Sequence, residues 1–362
     1  MHIVIDARII HSTTGTYVKR LLHYLQQVDT TNDYTVLVPT KDLSYWIPMA
    51  GNFTVKPADF KNYSLDEQKG FKKLLDSLSP DLVHFCMPQQ PIAYKGAVVT
   101  TFHDLTLLDT YNSDKNWLVF HAKQFIGRFV FTIAARKSRH IITPTEYVRL
   151  DVSARLGVPI SKITTTYEAA DAVEGDIKHY NHPFKEFIMY VGQQSDYKNI
   201  KRLGDAHQKL LETHPDLGLI LVGNKNASAL KTEAYFNEKG YKNILFTGFV
   251  DDDQLAWLFK NCQAYVFPSL MEGFGLPGLE AMTYGAPVAS SNATCLPEVY
   301  GDAAHYFNPT DSVDIARAVE DILSDPVHRD ELIAKGFERI KQYSWRRMAE
   351  QTHAVYMNAL KK

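Results

Sequence analysis

The stretch that most constrains this chain is Phe267 to Gly285, FPSLMEGFGLPGLEAMTYG. It follows a short apolar run, Ala264 to Phe267, that reads as a buried strand, and it precedes a second strand candidate, Ala286 to Ser290. Only a glycine-containing turn and a short helix fit between them. Pro277 suits the first helical position, because its ring presets φ and its missing N–H would have had no intrahelical partner; Gly285 suits the helix end. Such a helix start aims free backbone N–H groups at whatever lies in front of it, and phosphate is a natural occupant. Glu272 lies before the turn, and Glu280 is expected in the first helical turn. A carboxylate repels a phosphate, so this pair suits hydroxyl groups, as a sugar offers. Taken singly, each has a plainer reading: Glu280 as an acid complementing the helix dipole, Glu272 as a surface charge.

Length extends the argument to the whole chain. At 362 residues it exceeds one ordinary core and suggests two domains. A hydrophobic content of 45% and a charged content of 22% are globular values, and a net charge of -2 gives no global reason to expect nucleic acid. Cys86, Cys262 and Cys295 have no metal-type spacing and cannot all pair, which fits a reducing compartment. The start, MHIVIDARII, carries Asp6 and Arg8 inside its apolar run, so it reads as a first strand and not as a signal peptide. No uncharged apolar run reaches the roughly 18 residues that a spanning helix needs. The expectation is a soluble cytoplasmic protein, at most peripheral at the inner face of a membrane.

In chain order, His2 to Ile5 reads as a strand, followed by a loop with Gly15 and Thr16 and a helix with Val18, Leu21, Leu22 and Leu25 on one side. Strand, glycine loop and helix form the opening unit of a doubly wound sheet. Tyr34 to Pro39 and Leu82 to Phe85 repeat the alternation around a helical pattern at Gln68 to Leu78. Val98 to Phe102 should be a central strand with His103 and Asp104 at its carboxyl end, where open α/β sheets place ligands. Residues 116–139 interleave Trp117, Phe120, Phe125 and Phe129 with Lys123, Arg128, Arg136 and Lys137. That pattern fits a helix lying on an anionic membrane, and it also fits a core helix with a solvated basic face. A shift to polar residues from Glu168 to Pro183 reads as a linker. The second half then restarts with the strand Phe187 to Val191, the loop Gly192 to Lys198 and a helix near Asn199; Gly218 to Gly223 and Asn243 to Thr247 are further strands. The Gly15 unit lacks GxGxxG, no nucleophile elbow supports Ser-His-Asp chemistry, and no Asp-x-Asp metal site is expected.

Glu272-Gly273-Phe274-Gly275-Leu276-Pro277, Leu279-Glu280-Ala281-Met282 and Gly285-Ala286-Pro287-Val288 together resemble the nucleotide-sugar signature of the retaining GT4 glycosyltransferases. Cys295-Leu296-Pro297-Glu298-Val299 is similar to that family's following loop. The resemblance covers most of the chain and implies the GT-B architecture: α/β, two doubly wound parallel-sheet, Rossmann-like domains facing across a cleft. It implies an acceptor-binding domain at 1–170, a nucleotide-sugar donor domain at 171–343, and a segment at 344–362 that packs back on the first. It also implies that Gly15 and Thr16 approach the donor phosphates, that His103 faces the transferred sugar, and that Lys198 binds the diphosphate beside Gly192 and Gln193. Family members often carry arginine where this chain has Gln193, so Lys198 stands as the one cation of that loop. Gly223, with the backbone of Phe249 and Val250, would border the nucleotide. Glu272 would hold sugar hydroxyls with Gly273, Phe274, Gly275 and Leu276 around the leaving group, and Glu280 would hold the ribose.

Breaking a sugar–phosphate bond puts negative charge on the leaving diphosphate, and fixed donors must meet it. Lys198 and the helix start after Gly273 supply them, so Glu272, His103 and Lys198 are the expected catalytic set, with no metal and no cofactor beyond the nucleotide sugar. The implied activity is transfer of a hexose, with GDP-mannose as the first donor to consider, to a glycan or lipid-linked acceptor in polysaccharide synthesis. Loops Thr40 to Asn62 and Pro88 to Lys95 are the acceptor candidates, and 116–139 the candidate membrane contact. Two alternatives stay open: a phosphorolytic or hydrolytic enzyme of sugar phosphates on the same scaffold, and a nucleotide-sugar-binding protein without turnover.

Overall fold

The computed structural model describes residues 1–12, 14–109, 117–173 and 175–361, with the side chains of 117–123 and 126 outside that description. The chain divides into two compact units, Met1–Glu168 with Ser344–Lys362, and Ala169–Tyr343. Each is built on a parallel sheet.

Among the described residues the first unit holds seven strands. They are β1 (His2–Asp6), β2 (Asp33–Val38), β3 (Phe53–Pro57), β4 (Leu82–Phe85), β5 (Val98–Thr101), β6 (His140–Thr143) and β7 (Ile163–Thr165). Their order across the sheet is β3-β2-β1-β4-β5-β6-β7, and every pairing is parallel. The second unit holds β8 (Phe187–Val191), β9 (Gly218–Val222), β10 (Ile244–Gly248), β11 (Ala264–Phe267), β12 (Val288–Ser291) and β13 (Ala304–Phe307). Their order is β10-β9-β8-β11-β12-β13. Both sheets thus reverse direction beside their first strand, between β1 and β4 and between β8 and β11. The doubly wound order places a crevice at that point, outside the carboxyl ends of the strands.

The sequence dictates this arrangement through burial. β4, β5, β9, β11 and β12 are buried along their whole length, as strands covered on both faces are; β9 and β11 read as apolar runs without alternation, while β4, β5 and β12 bury His84, Thr100, Thr101, Ser290 and Ser291. In the first unit Val4, Leu37, Phe71, Leu75 and Phe85 form one core cluster, while Phe102, Phe131, Ile141, Val152 and Leu156 form another.

The helix Trp345–Leu360 belongs to the first unit. Ser344 caps it by accepting the Arg347 N–H at 3.3 Å. Arg139 donates to the Ala359 carbonyl at 2.7 Å near its end, and Tyr356 reaches His84 on β4, with the hydroxyl 2.5 Å from Nδ1. β3, β7 and β13 were not expected from sequence. β3 and β7 are edge strands whose outward residues are partly exposed, so their apolar signal is diluted.

Of the stretch 116–139, Asn116 and the side chains of Trp117, Phe120 and Lys123 lie outside the described residues. In the rest of the helix Trp117–Lys137, Phe131, Ala134 and Ala135 join the core while Phe125 and Phe129 are exposed. Lys137 is tucked in, donating to the Pro91 carbonyl at 2.7 Å, and burial pushes its ammonium down to about 8. Among the described residues no helix is long and apolar enough to cross a membrane.

Candidate functional site

Chemistry-bearing residues collect at the carboxyl ends of the strands in both units. In the second unit the chain leaves β8 through Gly192, which has φ of +142°, and β9 ends in Gly223, at +152°. A Cβ on Gly223 would lie 2.3 Å from the Gly192 carbonyl oxygen, so the two strand ends approach this closely only because Gly223 lacks a side chain. A short turn, Asp196–Lys198, then leads into the helix Ile200–Leu210. Asn199 bridges them with φ of +64°, its amide donating to the carbonyls of Pro268 and Pro309 at 3.0 and 2.7 Å. That anchor ties the loop after β8 to the loop after β11.

The anchor brings Lys198 to Glu272. Nζ lies 2.5 Å from Oε1, and both side chains are largely buried, at 15% and 13% exposure. Burial pulls the lysine pKa down, but the carboxylate, with Tyr190 and Tyr197 adding to it, more than offsets this and leaves it above its ordinary value. Lys198 therefore stays charged throughout the physiological range. Gln193 is exposed, and its carbonyl accepts from Tyr190 Oη at 2.9 Å. Arg202, the nearest arginine along the chain, is engaged with Asn199 Oδ1 at 2.6 Å and the Pro309 carbonyl at 3.2 Å. Lys198 is thus the cation that this loop presents.

After Glu272 the chain turns through Gly275, at φ of +91°, into the helix Leu276–Thr283. Tyr300 lies directly beneath: its hydroxyl donates to the Gly275 carbonyl, and a Cβ on Gly278 would meet its ring at 2.3 Å. Two sequence expectations are corrected here. Pro277 is the second helical residue, because Leu276 is already helical; and Glu280 falls in the second turn, with no acid in the first. The expected end holds, with Gly285 in the left-handed region at +74°. Glu280 is half-buried and has no charged or hydrogen-bonding partner among the described residues. Burial, with Asp252 adding to it, pushes its carboxyl up to about 7. It is an unspent acceptor, suited to a pair of hydroxyls.

Phe249 and Val250 follow β10. Phe249 is 74% exposed, whereas Val250 is buried. Asp251 and Asp253 have Asp-x-Asp spacing, which corrects the expectation of no such pair. Asp253 pairs with Lys178 at 2.5 Å, so it serves to fasten the segment before β8 onto the second unit.

In the first unit, Gly15 opens the helix Gly15–Val28, and a Cβ there would lie 2.1 Å from the Ile10 carbonyl oxygen. Thr16 follows, half-buried. His103 leaves β5 with Nε2 donating to the Cys86 carbonyl at 3.0 Å. A carbonyl only accepts, so Nε2 carries the proton, and Nδ1 faces Glu168 Oε1 at 3.5 Å. Tyr17 closes the other side, its ring edge-on to His103 at 4.7 Å. Behind Tyr17 runs a buried hydrogen-bonded chain: Tyr17 Oη to Thr101 Oγ1 at 3.0 Å, Thr101 Oγ1 to His84 Nε2 at 2.8 Å, and His84 to Tyr356. Burial, with His103 adding to it, holds His84 down at about 3, so it is neutral. Glu168 and Tyr17 were missed from sequence, the glutamate because its neighbours read as linker. Arg149 is paired with Glu146 at 2.9 Å.

Residues 14–173 match the family described as Glycosyltransferase Family 4, and residues 176–339 match Glycosyl transferases group 1. The O-antigen chain mannosyltransferase B of Escherichia coli is 30% identical over 274 residues, covering 71% of this chain and 69% of that one. The chain belongs to glycosyltransferase family 4. It is an enzyme of that class. The serotype-specific mannosyltransferase WbdA of Escherichia coli is 31% identical over 274 residues, 72% of this glycosyltransferase, which spans only 33% of WbdA. Solved structures share the fold at lower identity. A sucrose-phosphate synthase from Thermosynechococcus elongatus has a TM-score of 0.78 at 18% identity, covering 99% and 98% of the two chains. Anabaena Alr3699/HepE, in complex with UDP and glucose, has a TM-score of 0.71 at 16% identity and covers 99% of each. The two parallel-sheet domains of this glycosyltransferase are those of the GT-B fold.

Proposed function

We propose that this glycosyltransferase moves a hexose from a nucleotide sugar to a glycan or lipid-linked glycan, with retention at the anomeric carbon and without metal on the diphosphate. The observation that carries the reading is the Lys198–Glu272 pair at the β8–β11 switch point, in front of the helix that starts at Leu276. In the donor-free enzyme each charge satisfies the other. With donor bound, Lys198 turns to the diphosphate oxygens and Glu272 to the sugar hydroxyls, so neither buried charge is left bare. The helix start at Leu276 adds positive potential to the leaving group, where charge grows as the bond breaks. Glu280 accepts from the nucleotide ribose, and Phe249 lies beside the base. His103, its tautomer set by the Cys86 carbonyl and its ring held by Tyr17, is the sugar-facing candidate that the family resemblance assigns.

GDP-mannose is the first donor to test, because relatives 30% and 31% identical over 71% and 72% of this chain are mannosyltransferases. A mannose-terminated glycan is the matching acceptor. Phe125 and Phe129, exposed on either side of Arg128, are the side chains through which a membrane bearing a lipid-linked acceptor would be met.

The test is a thermal-shift panel of UDP, GDP, ADP and their hexose conjugates with and without EDTA, followed by turnover with a mannose-terminated oligosaccharide. A shift from GDP and GDP-mannose alone, unchanged by EDTA and lost in Lys198→Ala, is the expected result. A shift that needs metal would remove the metal-free reading. Release of sugar that depends on inorganic phosphate would replace transfer with phosphorolysis.

A further inference from the structure

The loop after β12 strains its backbone beside Glu272. Five non-glycine residues among those described have positive φ, and Thr294, at +55°, is the β-branched one. A β-branched side chain enters that left-handed region at a cost of about 1–3 kcal/mol. The strained conformation aims the Thr294 hydroxyl at the neighbouring loop. Its Oγ1 accepts the N–H of Glu272 at 3.1 Å. Cys295 follows, fully buried, with Sγ donating to the Glu272 carbonyl at 3.3 Å. Two consecutive residues therefore grip Glu272 by both of its backbone polar groups. The loop itself is pinned on either side: the Ala293 N–H donates to Ser291 Oγ at 3.1 Å, and the Val299 N–H donates to the Cys295 carbonyl at 2.9 Å.

We propose that Thr294 is a positioning residue for Glu272: its strained backbone is held because its hydroxyl fixes the Glu272 peptide, and with it the carboxylate that must take the transferred sugar. The inference rests on that reading of Glu272. Fold stability does not explain the residue. Thr294 is half-buried and adds little to the core, and a glycine would adopt the same φ without strain. What glycine would not supply is an acceptor for the Glu272 N–H. The Lys198 pair does not make the hydroxyl redundant, because that pair must open when a diphosphate arrives. At that moment the backbone grip is what keeps the carboxylate in place, and a misplacement of about 1 Å can cost on the order of 100-fold in rate.

The experiment compares Thr294→Ala, Thr294→Gly and Thr294→Ser, with Glu272→Gln as a reference. Three quantities are read: kcat and KM with GDP-mannose and a mannose-terminated oligosaccharide, the melting temperature, and amide exchange at Glu272 in the donor-free enzyme. Ala and Gly are expected to lower kcat by ~10-fold or more with a much smaller change in donor KM, and to raise Glu272 amide exchange by ~10-fold. Ser, which keeps the hydroxyl, stays near wild type in both. Gly is expected to melt no lower than Ala because only Gly relieves the strain, so a rate as low as Ala's in the Gly variant is not lost fold. Wild-type exchange and kcat in Ala, or equal losses in Ser and Ala, overturn the proposal. A Glu272→Gln enzyme that turns over normally removes the underlying reading instead, and the exchange result then still decides whether Thr294 holds that peptide.

Discussion

Glu280→Gln separates stability from function with opposite signs. Burial, with Asp252 adding to it, pushes the Glu280 carboxyl from an ordinary 4.5 up to about 7. A folded-state pKa above the unfolded one means that the fold prefers the protonated acid. That preference is fully present below about 4.5 and is lost as pH rises through 7. At about 1.4 kcal/mol per pH unit, the ionised carboxylate burdens the donor-free enzyme by up to ~3 kcal/mol above neutrality. Glutamine does not ionise, so Glu280→Gln should match wild type near pH 5 and exceed it at pH 8.5 by ~2–3 kcal/mol, or ~5–10 °C for a domain of this size. The same change should weaken GDP binding at pH 8.5, because an amide replaces charge-assisted acceptance by both carboxylate oxygens, worth about 1.5–3 kcal/mol per hydrogen bond. For wild type, binding should tighten as pH rises through 7, since hydroxyls prefer the ionised acceptor; for the variant it should stay flat. Scanning calorimetry at pH 5 and 8.5, with and without GDP, reads all of this. A stability difference that is the same at both pH values, or a variant that melts lower at pH 8.5, would refute the account of Glu280 as a buried carboxylate without a partner.

Removing either member of the Lys198–Glu272 pair leaves a buried charge alone, so Lys198→Met and Glu272→Gln should each cost ~3–5 kcal/mol, and the double variant less than their sum; denaturant melts complete the cycle. Phe249→Ala, at a side chain that is 74% exposed, should leave the melting temperature within about 1 °C of wild type while lowering GDP affinity; unchanged affinity would place the base elsewhere. Gly223→Ala should cost more than ~2 kcal/mol, because its Cβ would lie 2.3 Å from the Gly192 carbonyl oxygen at a φ of +152°, as read by urea midpoint. Buried neutral His84, held at about 3, binds its proton more readily when unfolded, so stability should fall below about pH 6.5 by up to ~1.4 kcal/mol per pH unit; in His84→Gln that contribution to the slope should vanish.

What could be read from sequence, and what could not, divides by whether the chemistry lives in one residue or in a meeting of two. The Gly275 turn is legible because its φ of +91° leaves few residues to choose from, and Gly285 for the same reason at the helix end. β9 and β11 are legible because strands covered on both faces favour continuous apolar runs. Glu280 was assigned to the wrong helical turn because Pro277 marks a helix start only to within a residue, and Leu276 had already entered the helix. Glu168 and Tyr17 were illegible for a different reason: each matters through a neighbour, His103, that is distant in the chain. Thr294 is the sharpest case. Its one local sign, a threonine where the backbone turns left-handed, is visible only once φ is known, and its partner Glu272 lies across the 268–294 segment. Lys198 and Glu272 show the same logic from the other side. Each was picked out singly from its place after a strand, but their contact depends on Asn199, whose amide joins the two loops. Asn199 should therefore behave as part of the site although it faces no substrate. Asn199→Ala loses two buried hydrogen bonds and a residue type that, among those with a side chain, tolerates φ of +64° well, so it should lower GDP affinity together with stability. Asn199→Asp keeps the backbone preference but turns the donors into acceptors facing two carbonyls, and should be no better than alanine.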